Sequence, residues 1–253
     1  MDAQLALAEF PDCHSCGNFR AGPAAVCLAC ARRELTRPGA DACSICSQRL
    51  RPDGVCANDL CRSPDRRIGR IHAVAYQSGA LRRAINSYKY RGTRSWSLVL
   101  GRLLLGWLNE NLADDRPDLI VANPGYSGPG GQQFAHAEAV LAAADGADHD
   151  GRWPFDTATP PAVVKVQPTL KSADAQIWSK RVSGNELRAA LRVTDRSRTM
   201  GRFVLVYDDI CTTGTQLDVV AGCLFDQGQA ARVEAVVLAR ATWRRSPGSG
   251  QEF

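Results

Sequence analysis

Two groups of side chains in this sequence are spaced for chemistry. The first lies in Val204-Leu-Val-Tyr-Asp208-Asp209-Ile-Cys-Thr212-Thr213-Gly214-Thr215, where an apolar run ends in two carboxylates and passes at once into a Thr/Gly turn. With the run as a strand and the residues after Gly214 as a helix, acids and hydroxyls stand side by side at the carboxyl edge of a sheet. The hydroxyls of Thr212, Thr213 and Thr215, the N–H groups of the turn and the helix N-terminus can then hold a phosphate. Asp208 and Asp209 can accept hydrogen bonds from ribose hydroxyls, directly or through a hydrated magnesium ion. The pattern suits a sugar-phosphate site; the plain alternative is a structural turn with incidental acids. Neither Gly-x4-Gly-Lys-Ser/Thr nor Gly-x-Gly-x2-Gly occurs, so ATPase and dinucleotide readings lose their main support.

The second group is the cysteines. Ten are present, and eight precede residue 62 as Cys13-x2-Cys16, Cys27-x2-Cys30, Cys43-x2-Cys46 and Cys56-x4-Cys61. Two residues between thiolates let a tight knuckle aim both sulfurs at one ion, and two knuckles complete a tetrahedral site, so four half-sites make two zinc ions. A disulfide framework or buried free thiols would be the alternative; without a secretory context zinc is preferred. The similar gaps from Cys16 to Cys27 and from Cys46 to Cys56 favour two consecutive ribbons over an interleaved arrangement. Four sulfurs leave no open coordination position, so the zincs are expected to be structural. His14, inside a knuckle, is expected to face solvent. Cys211 and Cys223 stand apart and read as packing residues.

Charge adds a third feature. The formal +5 assumes neutral thiols; eight thiolates holding two zinc ions would lower it by about four units and leave the chain near neutrality. Basic character is therefore local. Between Arg66 and Asn109 there is no acidic residue, while Arg66, Arg67, Arg70, Arg82, Arg83, Lys89, Arg91, Arg94 and Arg102 are all basic. A polyanion is the natural partner of such a stretch. Tyr88, Tyr90 and Trp96 are interleaved with it, as stacking rings or as core residues of a helix.

The elements that must position these groups read as α/β. Arg70 to Tyr76 predicts a strand; Ser78 can cap a helix with Leu81, Ile85 and Tyr88 on its apolar face, ended by Gly92; Ser95 can cap another through Asn109. Asp118 to Ala122 reads as a buried, central strand leading to Asn123-Pro124-Gly125. A helix from Gln132 to Ala144, a polar connection from Asp145 to Pro161 and a strand from Ala162 to Val166 follow. Strand Arg202 to Tyr207, helix Thr215 to Gln227 and strand Arg232 to Leu238 imply a right-handed parallel crossover. Lys165 to Val182, with Lys171, Lys180 and Arg181, is either a mobile lid or a solvated loop. The first residues carry no basic n-region or long apolar core, and Leu98 to Leu108 is far shorter than the ~20 residues of a membrane span, so a cytoplasmic protein without a span is expected.

Asp208 to Gly214 resembles the phosphoribosyl pyrophosphate (PRPP) motif of type I phosphoribosyltransferases, and the cysteine ribbons narrow the resemblance to the ComF family. Tyr76-Gln-Ser-Gly79-Ala-Leu81-Arg82-Arg83-Ala-Ile85 through Lys89-Tyr90-Arg91-Gly92 is similar to that family's basic segment. Gln133-Phe134-Ala-His-Ala137-Glu138 is similar to its Gly-Phe-Asn-Gln-Ala-Glu stretch with Asn and Gln replaced, and Arg181, Asn185 and Leu187 match a pattern before the last strands. The resemblance implies a double zinc-ribbon module over 1–65, a type I phosphoribosyltransferase-like parallel sheet flanked by helices over 66–245 and a tail over 246–253. It implies PRPP bound with Mg2+ by Asp208, Asp209, Thr212, Thr213, Gly214 and Thr215. It also implies single-stranded DNA met by Arg82, Arg83, Lys89, Arg91 and Arg94, and a DNA-uptake helicase as partner, in natural transformation. Salvage phosphoribosyl transfer to a base and PRPP-responsive regulation are the alternatives; no residue stands out as a general base. Two departures bear on the site: the loop from Asn123 to Gln132 lacks the arginines usual there, which weakens contact with pyrophosphate or nucleic acid, and Gln216 replaces the second hydroxyl residue of the phosphate turn, which loosens the grip on a 5′-phosphate.

Overall fold

The computed structural model describes residues 35–126, 134–169 and 177–242, the side chains from 184 onward in the last of these. The expectations for Cys13, His14, Cys16, Cys27 and Cys30, for Lys171, and for the side chains of Lys180 and Arg181 lie outside the described residues, as does the tail.

Four strands, β1 (Ile71–Tyr76), β2 (Leu119–Ala122), β5 (Phe203–Cys211) and β6 (Arg232–Arg240), form a sheet in the order β1-β6-β5-β2. All three pairings are parallel. Strands of such a sheet are covered on both faces and read as near-continuous apolar runs, and β5 and β6 meet that description with Val204, Leu205, Val206, Val236, Val237 and Leu238 all inaccessible. Two further strands, β3 (Val163–Lys165) and β4 (Leu191–Val193), pair antiparallel apart from this sheet.

Side chains alternate along each strand between two cores. On one face Val74, Ile120, Leu205, Tyr207, Val236 and Leu238 pack with α2 (Gly79–Tyr90), α3 (Trp96–Asn111) and α4 (His136–Ala147). Helix α3 is apolar on nearly every side, as a helix buried between a sheet and a second helix must be. Gly101 lets α4 approach: a Cβ there would lie 2.8 Å from the backbone nitrogen of Ala144. On the other face Ile71, Val121, Val204, Val206, Val233 and Val237 pack with α6 (Thr215–Asp226) and with Leu187 of α5 (Ile177–Ala190). Cys43, Cys46 and Cys56 belong to this second core, so the second ribbon is built into the lobe. Its knuckle is tied to β1 by Ile71 N–H donating to the Ile45 carbonyl at 2.7 Å and by Ser47 Oγ donating to the Ile71 carbonyl at 2.8 Å.

Most strands and helices lie where the apolar patterns put them, but α5 and β4 were not expected, and the 177–182 part of the stretch read as a lid or loop is helical. Strand β2 was expected to be central but ends the four-stranded order. Its outer side is covered by an irregular segment: Ile120 N–H donates to the Pro154 carbonyl and the Ile120 carbonyl accepts from Asp156 N–H, at 2.9 and 2.8 Å. The polar composition of the 145–161 connection hid this pairing, which depends on buried Trp153 and Phe155. Strand β5 also runs on through both acids to Cys211, four residues past its expected end, because the ladder to β6 continues to the Cys211–Arg240 pair. Ser78 precedes α2 but makes no side-chain capping bond. Among the described residues no helix is long and apolar enough to cross a membrane.

Candidate functional site

At the carboxyl end of β5 and β2 a cavity of ≈ 200 Å³ is lined by Asp208, Asp209, Lys89, Asn123, Glu138 and Gln216, with His136 beside them. Asp208 Oδ2 accepts from Asn123 Nδ2 at 2.8 Å, and Asp208 Oδ1 from the N–H of Asp209 at 2.8 Å. Asp209 is 1 % exposed; it accepts from the Tyr207 hydroxyl at 3.0 Å and faces Lys89 Nζ at 3.2 Å. Tyr207 and Asp209 can meet because both lie on the same face of the strand.

Negative charge exceeds positive here. Burial, reinforced by the charge of Asp209, pushes Asp208 up to about 6 against the opposing pull of Lys89 and two hydrogen bonds. Burial also raises Glu138, although its own N–H and that of Gly125 donate to it, and lowers His136. Burial would lower Lys89, yet Asp209 and Asp208 outweigh it and hold the ammonium above its usual range. Carboxylates gathered around one ammonium, in a cavity of this size, suit a hydrated divalent cation or a polyhydroxylated ligand.

Next to the cavity, Thr212, Thr213 and Gly214 make the turn into α6. Gly214 has φ +84° and is packed so closely that a Cβ would lie 2.6 Å from Ile71 Cδ1; only glycine meets both demands. Thr213 and Thr215 bring their hydroxyl oxygens to 3.0 Å, and Thr212 and Thr215 are exposed. The acids and this turn are therefore contiguous, at the N-terminus of a twelve-residue helix. Gln216 points toward Asn123, at 3.5 Å.

Behind the turn stand Cys43, Cys46, Cys56 and Cys61, whose sulfurs all lie within 4.8 Å of one another. Cys43 to Cys61 is 3.8 Å and Cys46 to Cys56 3.7 Å, close to the edge of roughly 3.8 Å of a tetrahedron with metal–sulfur bonds near 2.3 Å. None of the four is joined in a disulfide. The hydrogen bond with Cys61 and the charge of Arg240 together bring Cys46 well below the usual thiol range in spite of burial. This set fits a tetrahedral thiophilic ion such as zinc, and it assembles the third and fourth half-sites with each other, as consecutive ribbons require.

The basic set divides. Arg82, Arg83, Arg91 and Arg94 are exposed, whereas Lys89 turns into the cavity and pairs with Asp209. Tyr88 and Trp96 are core residues at 1 % exposure each, and Tyr90 projects at 76 %. Arg94 lies over the Phe134 ring at 4.8 Å. Sequence reasoning placed Gln216 in the phosphate turn but did not assign Asn123, His136 or Glu138 to the site, nor give Arg240 a role. The available signals were Asn123 at the end of an apolar strand and a lone arginine closing the apolar run of β6. No family model matches the chain, and no curated protein matches it either.

Proposed function

We propose that the cavity at the carboxyl end of β5 binds PRPP together with magnesium, in a cytoplasmic ComF-like protein that assists the handling of incoming single-stranded DNA in natural transformation. One observation carries the reading: two carboxylates, Asp209 buried and Asp208 half-buried, share one ammonium beside a Thr/Gly turn at a helix N-terminus, so the ribose hydroxyls and the phosphate of one ligand can be met together. Asp208 and Asp209 would take the ribose hydroxyls or the hydrated ion, and the turn from Thr212 to Thr215 the 5′-phosphate. Arg82, Arg83, Arg91 and Arg94, with exposed Tyr90, supply cations and a stacking ring for a single strand. Lys89 leaves that surface and joins the ligand site.

An active salvage phosphoribosyltransferase is the second reading, favoured by His136 and Glu138, which line the same cavity and can move a proton. In that case the protein would position PRPP and stabilise departing pyrophosphate while a base attacks the anomeric carbon.

Calorimetric titration of the zinc-loaded protein with PRPP and MgCl2, beside the Asp208→Asn/Asp209→Asn variant, tests the site. Saturable binding that is lost in the variant is expected; folded wild-type protein that takes up no heat would leave the lobe a scaffold. Pyrophosphate release with added bases would identify the enzyme. DNA affinity that falls steeply with salt, less so in Arg91→Ala/Arg94→Ala, would identify the surface.

A further inference from the structure

Arg240 closes β6, is 0 % exposed and ends between the two candidate sites. Its Nε donates to the Cys46 carbonyl at 2.8 Å and a terminal nitrogen lies 3.6 Å from Cys46 Sγ. Its other terminal nitrogen donates to the carbonyls of Cys211, at 2.8 Å, and Thr212. One guanidinium thus joins the four-cysteine cluster to the strand end and the turn. Asn58 makes a second link: its N–H points to Cys56 Sγ at 3.5 Å, and its Nδ2 donates to the Thr213 carbonyl at 2.8 Å. Asn58 is also buried and caps the short helix α1 (Asp59–Arg62), accepting from Leu60 N–H at 3.2 Å.

These bonds fix the direction of the turn's amides. In a trans peptide the carbonyl of one residue and the N–H of the next point opposite ways. Carbonyls of Cys211, Thr212 and Thr213 held inward by Arg240 and Asn58 therefore direct the N–H groups of Thr212, Thr213 and Gly214 outward, toward the side where an anion would sit. The charge balance runs the same way. The buried guanidinium lies against Cys46 Sγ, and four thiolates around a divalent ion would carry a net −2 that such a cation offsets.

We propose that Arg240, with Asn58, is a positioning residue through which the metal-binding cluster sets the conformation of the anion-binding turn, so that an intact cluster is a condition of ligand binding and not only of folding. The ligand part of this inference rests on the PRPP reading above; the coupling between cluster and turn does not.

The test is the full chain, zinc-loaded and 15N-labelled, compared with Arg240→Lys, which keeps the charge but lacks the fork that reaches both sides, and with Asn58→Ala. Cobalt substitution reports whether the tetrahedral sulfur site survives. The expected result is an unchanged cobalt spectrum, displaced amide resonances for Thr212, Thr213 and Gly214, unmoved resonances for Ile120 and Val121, and at least tenfold weaker binding of PRPP with MgCl2. Zinc removal from wild-type protein by a chelator should displace the same three resonances. Turn resonances that stay in place in both variants would overturn the coupling. Displaced resonances in a protein whose wild type binds no PRPP would uphold the coupling and remove the PRPP reading instead. Should Arg240→Lys fail to fold, Asn58→Ala, which cuts the Thr213 link together with the α1 cap, decides by the same resonances, provided its cobalt spectrum is unchanged.

Discussion

The two ends of the parallel sheet both gather charge, and they treat it in opposite ways. At the amino end Arg232 donates to Glu234 at 2.7 and 2.9 Å and grips Asp115 with two bonds of 2.8 Å. The same Glu234 meets His72 Nε2 at 2.8 Å, and Arg232 lies over the Phe203 ring at 4.0 Å. Carboxylates and cations close on one another there, and nothing is left over for a ligand. At the carboxyl end Asp208, Asp209 and Glu138 line a cavity with Lys89 as the ammonium among them. The pair Lys89–Asp209 is satisfied, while Asp208 is held by amide hydrogen bonds and pushed up to about 6. A closed network steadies the sheet; an open one stores an electrostatic deficit that a cation and a hydroxyl-bearing ligand can fill.

Lys89→Met should break this contrast most sharply. It leaves the carboxylate of Asp209 buried without its cation; breaking a buried pair costs about 3–5 kcal/mol, and Lys89 being a quarter exposed sets the expectation near the low end, about 3 kcal/mol. Urea unfolding with and without millimolar MgCl2 checks it. A small loss, indifferent to the ion, would show that the deficit is not where the geometry puts it. Arg232→Met is the matching change at the amino end. A cost of roughly 2 kcal/mol is expected, since its half-exposed side chain moderates the loss of two carboxylate partners. PRPP binding should be untouched, and a change in it would merge the two ends into one system.

Asp208→Asn should act with the opposite sign. Asp208 has a folded pKa above the ordinary carboxylate value near 3.9. Its contribution to stability is therefore fully present below about pH 4 and is lost as pH rises through about 6. The Asn variant, free of that loss, should be more stable than wild type by roughly 1–2 kcal/mol at pH 7.5 without Mg2+, the gain vanishing by pH 4 and ligand binding being forfeited. Denaturation curves at the two pH values decide; a variant less stable at pH 7.5 would contradict the argument. The smallest effect belongs to Glu234→Gln. Burial opposes ionisation of Glu234, but hydrogen bonds from His72 and Arg232 outweigh it and hold its pKa below the usual value. Its stabilisation is present above that value and is lost as pH falls through the lower, folded one. A small deficit at pH 7 that disappears in strong acid is expected, and a deficit independent of pH would point to packing alone.

Local pattern made much of this legible. The strand of β5, the turn at Gly214 and the helix α6 follow from an apolar run, a Thr/Gly break and a renewed helical period. Leu81, Ile85 and Tyr88 share one buried face of α2 as their spacing predicts. The similar gaps between half-sites likewise favoured the meeting of Cys43 and Cys46 with Cys56 and Cys61. Lys89 was harder: it has the same sequence character as Arg91 and Arg94, and only the rotation of α2 against the sheet separates the ammonium that enters the cavity from the guanidiniums that face outward. Trp153 and Phe155 were concealed by the polar composition around them.

Sequence by itself determined the α/β alternation around β5, the chemical types at its end and the cysteine half-sites, because each depends on residues close together along the chain. Tertiary structure alone decided that β2 lies at the end of the strand order, that Lys89 pairs with Asp209 and that Arg240 reaches from the cysteine cluster to the turn. Those facts rest on contacts such as Leu119 with Val204, Lys89 with Asp209 and Arg240 with Cys46, the last pair 194 positions apart, which no local periodicity encodes and which the packing of both faces of one sheet settles together.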